Sequence, residues 1–113
     1  MNPWILWARD EMERRLHEPG VLEHLAAAMD LSLSRFTRLF AEGEGMEPAQ
    51  YLLRLRLARA KILLERTFLS VGDVMATVGL NDLKRFEDEF RNVYGVAPQA
   101  VGQRVWGGTS RER

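Results

Sequence analysis

The stretches LEHLAAAMDLSLSRFTRLF (residues 22–40) and VGDVMATVGLNDLKRFEDEF (residues 71–90) follow one plan. Each has a short apolar helix with a small residue in its middle, then a tight turn, then a second helix. The second helices carry aromatic residues at matching places, Phe36 and Phe40 in one copy and Phe86 and Phe90 in the other. The small residues are Ala26, Ala27 and Ala76. Two short helices that cross steeply need a small side chain and a tight turn, so the pattern predicts two helix-turn-helix units.

A long helix is predicted between the two copies, beginning at Glu47-Pro48 and running for about 19 residues. Its expected apolar stripe is Tyr51, Leu55, Ala58 and Ile62, with Leu52 and Leu63 beside it. At 1.5 Å per residue the helix spans roughly 28 Å, close to one turn of B-DNA at roughly 34 Å. A single helix-turn-helix match is a weak signal, but two copies on such a spacer favour binding to successive major grooves.

Local signals divide the rest of the chain into helices. The residues expected to begin or cap helices are Pro3, Ser32 or Ser34, Pro48, Ser70, Asp82 and Pro98. The residues expected to end them are His17, Met29, Gly43 with Gly45, Gly79 and Gly95. The predicted fold is all-α with about seven helices. Its predicted parts are an N-terminal helix-turn-helix subdomain (1–46), a linker helix (47–66), a C-terminal helix-turn-helix subdomain (67–106) and a flexible tail (107–113).

Composition excludes several classes of protein. The 113 residues are 46% hydrophobic and include no Cys, so we expect a folded domain without disulfides or thiolate metal sites. No apolar run approaches the roughly 18 residues of a membrane span, so we expect a cytoplasmic protein without a membrane partner. The net charge of zero is unusual for a nucleic-acid-binding protein. However, residues 31–66 hold seven Lys or Arg against four Asp or Glu, whereas residues 67–91 hold three against five.

The residues that carry a family resemblance are LAAAMDLSLSRFTRLFAEGEGMEPAQYLLRLRLARAKILL (25–64) and LSVGDVMATVGLNDLKRFEDEFRNVYGVAP (69–98). These stretches resemble the AraC/XylS family of bacterial transcriptional regulators, and the similarity covers roughly residues 20 to 104. The resemblance implies a seven-helix fold whose third and sixth helices enter adjacent major-groove segments of double-stranded DNA. The implied function is a sequence-specific transcriptional regulator or its isolated DNA-binding domain.

The resemblance also implies contacts, carried over by position. Base contacts are expected from Ser34, Thr37 and Arg38 in the third helix and from Leu83, Lys84 and Glu87 in the sixth. Phosphate contacts are expected from Arg35, Arg54, Arg59, Lys61, Arg85 and Ser70. Arg38 is the strongest candidate, because an Arg one turn into a recognition helix can bind guanine O6 and N7 together.

The second copy departs from the family pattern in its charge. Glu87 and Asp88 stand where the family commonly has a small polar residue and an Arg, and Glu89 adds a third carboxylate. Carboxylates can accept from cytosine N4, but they repel phosphates. We therefore expect the first unit to dominate binding, with the second a weak or unusual DNA-binding element or a surface for a protein partner. Other departures are Asp30 in place of a turn Gly, Leu80 in place of Phe, and Val101-Gly102 in place of Tyr-Arg.

An enzyme and a protein-interaction module are the two other classes of function to compare with DNA binding. An enzyme is not expected, because His17 and His24 lie on different predicted helices without a ligand cluster, so we predict no catalytic residue, metal or cofactor. A helical protein-interaction module that kept this fold and lost DNA binding stays open. RNA polymerase is a further candidate partner. A separate sensor or dimerisation domain is another, because we expect the 113 residues to be too few to include one.

Overall fold

The protein is all-helical in the computed structural model, which describes residues 2–101. Residues 98–101 are helical, and no strand occurs within 2–101. The other helices are α1 (Pro3–Arg14), α2 (Val21–Ala28), α3 (Leu33–Glu44), α4 (Pro48–Arg66), α5 (Val71–Val78) and α6 (Leu83–Tyr94). The predicted all-α fold of about seven helices is confirmed. The predicted tail at 107–113 lies outside the described residues.

The chain divides into two compact units, Met1–Leu55 and Arg56–Arg113. The division falls inside α4, so each unit contains one helix-turn-helix pair and part of the long helix. The subdomain boundaries predicted at residues 46 and 66 stay a prediction.

The first unit packs α1, α2 and α3 on one another. Ile5, Met12, Leu25, Phe36 and Phe40 are its largest fully buried side chains. Ring contacts continue the packing, with centroid distances of 6.0 Å between Phe36 and Phe40 and 5.7 Å between Phe40 and Tyr51. Burial of both Phe residues fixes the rotation of α3 and leaves its opposite face exposed.

The second unit packs α5 on α6. Val74, Val78, Phe86 and Phe90 are fully buried, and the Phe86 and Phe90 rings lie 5.6 Å apart. Tyr94 extends this cluster at 4.8 Å from Phe90. The rotation of α6 is thereby fixed in the same way as that of α3.

Helix α4 buries a different face from the predicted stripe. Leu52, Leu57, Ala60 and Leu64 are buried, whereas Ala58 is exposed and Ile62 is 47% exposed. The prediction was wrong for Ala58 and Ile62, whereas Leu52, which was expected beside the stripe, is buried. Apolar residues surround this helix, so their spacing alone does not select one face.

Smaller corrections concern helix ends and the small residues of the repeat. Helix α1 ends at Arg14 rather than near His17, and Gly43 lies inside α3, which ends before Gly45. Ala26 is buried as predicted for a crossing point. Ala76, the predicted counterpart in the second unit, is exposed. Leu31 N–H donates to Ala26 O in the first unit, and Leu80 N–H donates to Met75 O in the second. By this hydrogen bond, Met75 rather than Ala76 corresponds to Ala26.

Candidate nucleic-acid interface

Helix α3 presents a polar, cationic face. Its N-terminus is capped by Ser32, one of the two predicted candidates, whose Oγ accepts from the Arg35 N–H at 3.1 Å. The residues opposite the buried Phe pair include Ser34, Arg35 and Arg38, which are exposed, and Thr37, which is half-buried. The three predicted base-contacting residues of this helix therefore lie on one accessible side.

The two arginines of α3 are both exposed. Across residues 2–101, no carboxylate forms an ion pair with Arg35 or Arg38. An exposed guanidinium without an internal partner keeps its full set of donors for a phosphate or a guanine. The α3 face therefore has the chemistry that an anionic, acceptor-rich groove requires.

Helix α6 repeats this geometry 50 positions later along the chain. Asp82 Oδ1 accepts from the Arg85 N–H at 3.1 Å, as Ser32 does for Arg35. The correspondence continues beyond the quoted repeat, since Gly45 and Gly95 both end their helices in the left-handed conformation. Pro48 and Pro98, three residues further, are both buried. The structural repeat is thus longer than the sequence comparison indicated.

The exposed side of α6 differs in its electrostatics. Lys84 Nζ lies 3.0 Å from Asp88 Oδ2, an ion pair between residues four apart on one helix. The hydrogen bond to Asp88 and its charge raise the pKa of Lys84. Glu87 is half-buried, and its Oε2 accepts from Gln99 Nε2 at 2.6 Å. The predicted base-contacting residues Lys84 and Glu87 therefore have partners within the chain, whereas Leu83 is 50% exposed.

The predicted phosphate-contacting residues differ in their exposure and in the partners that they have within the chain. Arg35, Arg54, Arg59 and Arg85 are exposed. Lys61 Nζ pairs with Glu65 at 2.6 Å and lies 5.6 Å from the Tyr94 ring centroid. Ser70 is exposed and its Oγ caps α5 by accepting from the Asp73 N–H at 3.0 Å. Arg56, which was not among the predicted contacts, is half-buried, and this burial lowers its pKa.

No metal cluster or membrane span was found in the described part of the chain. Residues 2–101 contain no group of three or more His, Asp or Glu side chains placed to hold a metal ion. His17 and His24 are both exposed. The longest described helix, α4, is not apolar enough to cross a membrane, and the others are too short.

Each unit thus pairs a short helix with a second helix that exposes one face, which is the arrangement of the helix-turn-helix class. The family model described as a helix-turn-helix domain matches residues 25–104. The chain belongs to the AraC-type helix-turn-helix family, and this confirms the resemblance found in its sequence.

Three similar proteins illustrate the relationship. The HTH-type transcriptional regulator GbdR of Pseudomonas aeruginosa is 34% identical over 100 residues, which cover 83% of this chain. The HTH-type transcriptional activator RhaS of an Enterobacter species is 30% identical over 103 residues, which cover 91%. The crystal structure of the DNA-binding domain of AdpA, a global transcriptional factor in complex with a target DNA, matches with a TM-score of 0.75. It is 30% identical, and the match covers 93% of this chain and 91% of that one.

The curated relatives are much longer than the region they share with this chain. The match spans 27% of GbdR and 36% of RhaS. It covers nearly all of the AdpA DNA-binding domain. The similarity therefore concerns one domain of each regulator.

Proposed function

We propose that this chain is a sequence-specific DNA-binding domain of a bacterial transcriptional regulator, with α3 and α6 entering successive major-groove segments and the first unit dominating recognition. The observation that carries the proposal is the α3 face, on which Arg38 is exposed beside Ser34 and forms no ion pair within residues 2–101. The similar AdpA domain was crystallised in complex with a target DNA, and this supports the same ligand here.

The proposed contacts follow from exposure and chemistry. Ser34, Thr37 and Arg38 face bases from α3, with Arg38 on guanine O6 and N7. Leu83, Lys84 and Glu87 face bases from α6. Arg35, Arg54, Arg59, Lys61, Arg85 and Ser70 bind phosphates, which hold the domain on the duplex without specifying its sequence. Lys61 must exchange Glu65 for a phosphate to do so.

The proposed setting is a larger regulator that acts in the cytoplasm. A sensor or dimerisation domain is a proposed partner, supported by Leu6 and Trp7 of α1, which are 50% and 39% exposed. RNA polymerase is a further proposed partner, because the relatives are transcriptional regulators. The proposal assigns the chain no enzymatic reaction and no cofactor.

The first test is binding to random-sequence duplex DNA at low salt, followed by gel shift. We expect complexes at micromolar protein that dissociate as salt rises, because phosphate binding releases counterions from the duplex. Absence of a complex at micromolar protein and low salt would refute the proposal for this chain. It would favour the alternative of a protein-interaction module, which the neutral net charge and the Lys84–Asp88 pair permit but the relatives do not favour.

A further inference from the structure

The acidic residues of α6 are not equivalent. Asp88 is neutralised by Lys84 at 3.0 Å. Glu87 is instead held by a neutral group, because Gln99 Nε2 donates to its Oε2 at 2.6 Å from the helical residues 98–101. The hydrogen bond restrains the carboxylate and leaves its negative charge intact. Of these two carboxylates, Asp88 is therefore paired with a cation, whereas Glu87 is oriented by a neutral donor.

A fixed carboxylate distinguishes the four bases by exclusion. It can only accept hydrogen bonds. In the major groove guanine presents two acceptors and thymine presents an acceptor and a methyl group, so both repel it. Adenine places its amino group beside the N7 acceptor, whereas cytosine presents only the N4 amino group. Cytosine is the one base whose major-groove edge offers a donor without a neighbouring acceptor on that base.

We propose that Glu87, positioned by Gln99, selects cytosine at one base pair of the segment that α6 enters. The second unit then contributes to specificity chiefly by rejecting other bases, whereas α3 contributes through the favourable contacts of Arg38. This inference rests on the proposed function, because it requires α6 to enter a major groove.

Gln99 acts as a positioning residue in this scheme. Its amide occupies Glu87 Oε2 and leaves Oε1 to accept from a base. Without the amide, the carboxylate can rotate toward Lys84 or water, and its distance from a base edge is no longer fixed. The preference for cytosine should then weaken without being lost.

The test is selection of binding sites from randomised duplexes by the full chain, followed by competition between duplexes that differ only at the selected cytosine. The variants are Glu87→Gln and Gln99→Ala, with Glu89→Gln as a control that removes the same charge from the same helix. Arg38→Ala is included to identify the position specified by α3. Thermal melts establish that each variant is folded before its base preference is compared.

We expect the unmodified chain to favour cytosine about tenfold or more at one position that does not depend on Arg38. Glu87→Gln should reduce the preference for cytosine to about threefold or less and allow binding of duplexes with adenine at that position, since Gln binds adenine N6 and N7. Gln99→Ala should give an intermediate preference, and Glu89→Gln should leave it unchanged.

Two results would overturn the inference while leaving the proposed function intact. One is Arg38-dependent specific binding with no cytosine preference in the remaining positions. The other is a cytosine preference that survives Glu87→Gln. A preference unchanged in Gln99→Ala would refute the positioning role, and a chain that binds no duplex at all would refute the proposed function itself.

Discussion

At the scale of single residues, Asp30 has an unusual backbone conformation among residues 2–101. It is the one non-glycine residue there with a positive φ, 59°, and it lies in the turn of the first unit. The second unit has Gly79, with φ 85°, in its turn. A side chain in the left-handed region costs roughly 1–2 kcal/mol, although Asp tolerates it better than most residues. The turn of the first unit is therefore mildly strained.

Opposite substitutions in the two turns should have opposite effects. Asp30→Gly should raise the free energy of unfolding by up to about 1 kcal/mol, because Gly avoids the cost that a side chain incurs at positive φ and Asp incurs less of it than most residues. Gly79→Ala should lower it by about 1–2 kcal/mol for the reverse reason. Urea denaturation followed by circular dichroism measures both. Destabilisation by Asp30→Gly would show that the Asp side chain contributes more than its backbone conformation costs.

At the scale of the helices, local signals predicted the elements well. Ser32, Ser70 and Asp82 cap α3, α5 and α6 as expected, because capping involves only neighbouring residues. Gly45 and Gly95 end their helices for the same local reason. Helix α4 begins at Pro48 and has the predicted 19 residues.

Contacts between residues that are far apart along the chain could not be predicted from the sequence. The buried face of α4 depends on what packs against it, so Ile62 was wrongly assigned to the stripe. The Gln99–Glu87 hydrogen bond joins residues 12 apart, and no periodic pattern in the sequence predicts it. The Lys84–Asp88 pair, in contrast, has a signal in the sequence, because residues four apart on a helix lie next to each other.

The close approach of α1 and α3 in the first unit yields a prediction about packing. A Cβ at Gly43 would clash with Ile5 Cδ1, and Ile5 is 2% exposed. Gly43→Ala should therefore destabilise the protein by about 1–3 kcal/mol through overpacking, even though Ala favours a helix interior by about 1 kcal/mol.

The matched variant is Ile5→Val, which removes the clashing methyl group. In a double-mutant cycle monitored by urea denaturation, the combined variant should be at least about 0.5 kcal/mol more stable than the sum of the single effects. Additive effects would mean that Gly43 and Ile5 do not limit each other.

At the scale of the whole molecule, the net charge of zero is the sum of unevenly distributed charges. The exposed arginines of α3 lack ion-pair partners within residues 2–101, whereas the Lys84 charge on α6 is balanced by Asp88. Phosphate neutralisation supplies much of the affinity of DNA-binding proteins. We therefore propose that α3 is the dominant recognition helix, while phosphate contacts from both units add to the affinity.

The most direct test of this account compares Arg38→Ala with Arg14→Ala on a selected duplex, using fluorescence anisotropy at fixed salt. Both changes remove one exposed arginine, but Arg14 lies on α1, where it pairs with Glu11. We predict that Arg38→Ala weakens binding about 5- to 150-fold, as loss of a bidentate guanine contact worth about 1–3 kcal/mol requires, and that Arg14→Ala changes it by less than about twofold. Equal effects of the two substitutions, or an unchanged affinity in Arg38→Ala, would contradict the claim that α3 is the dominant recognition helix.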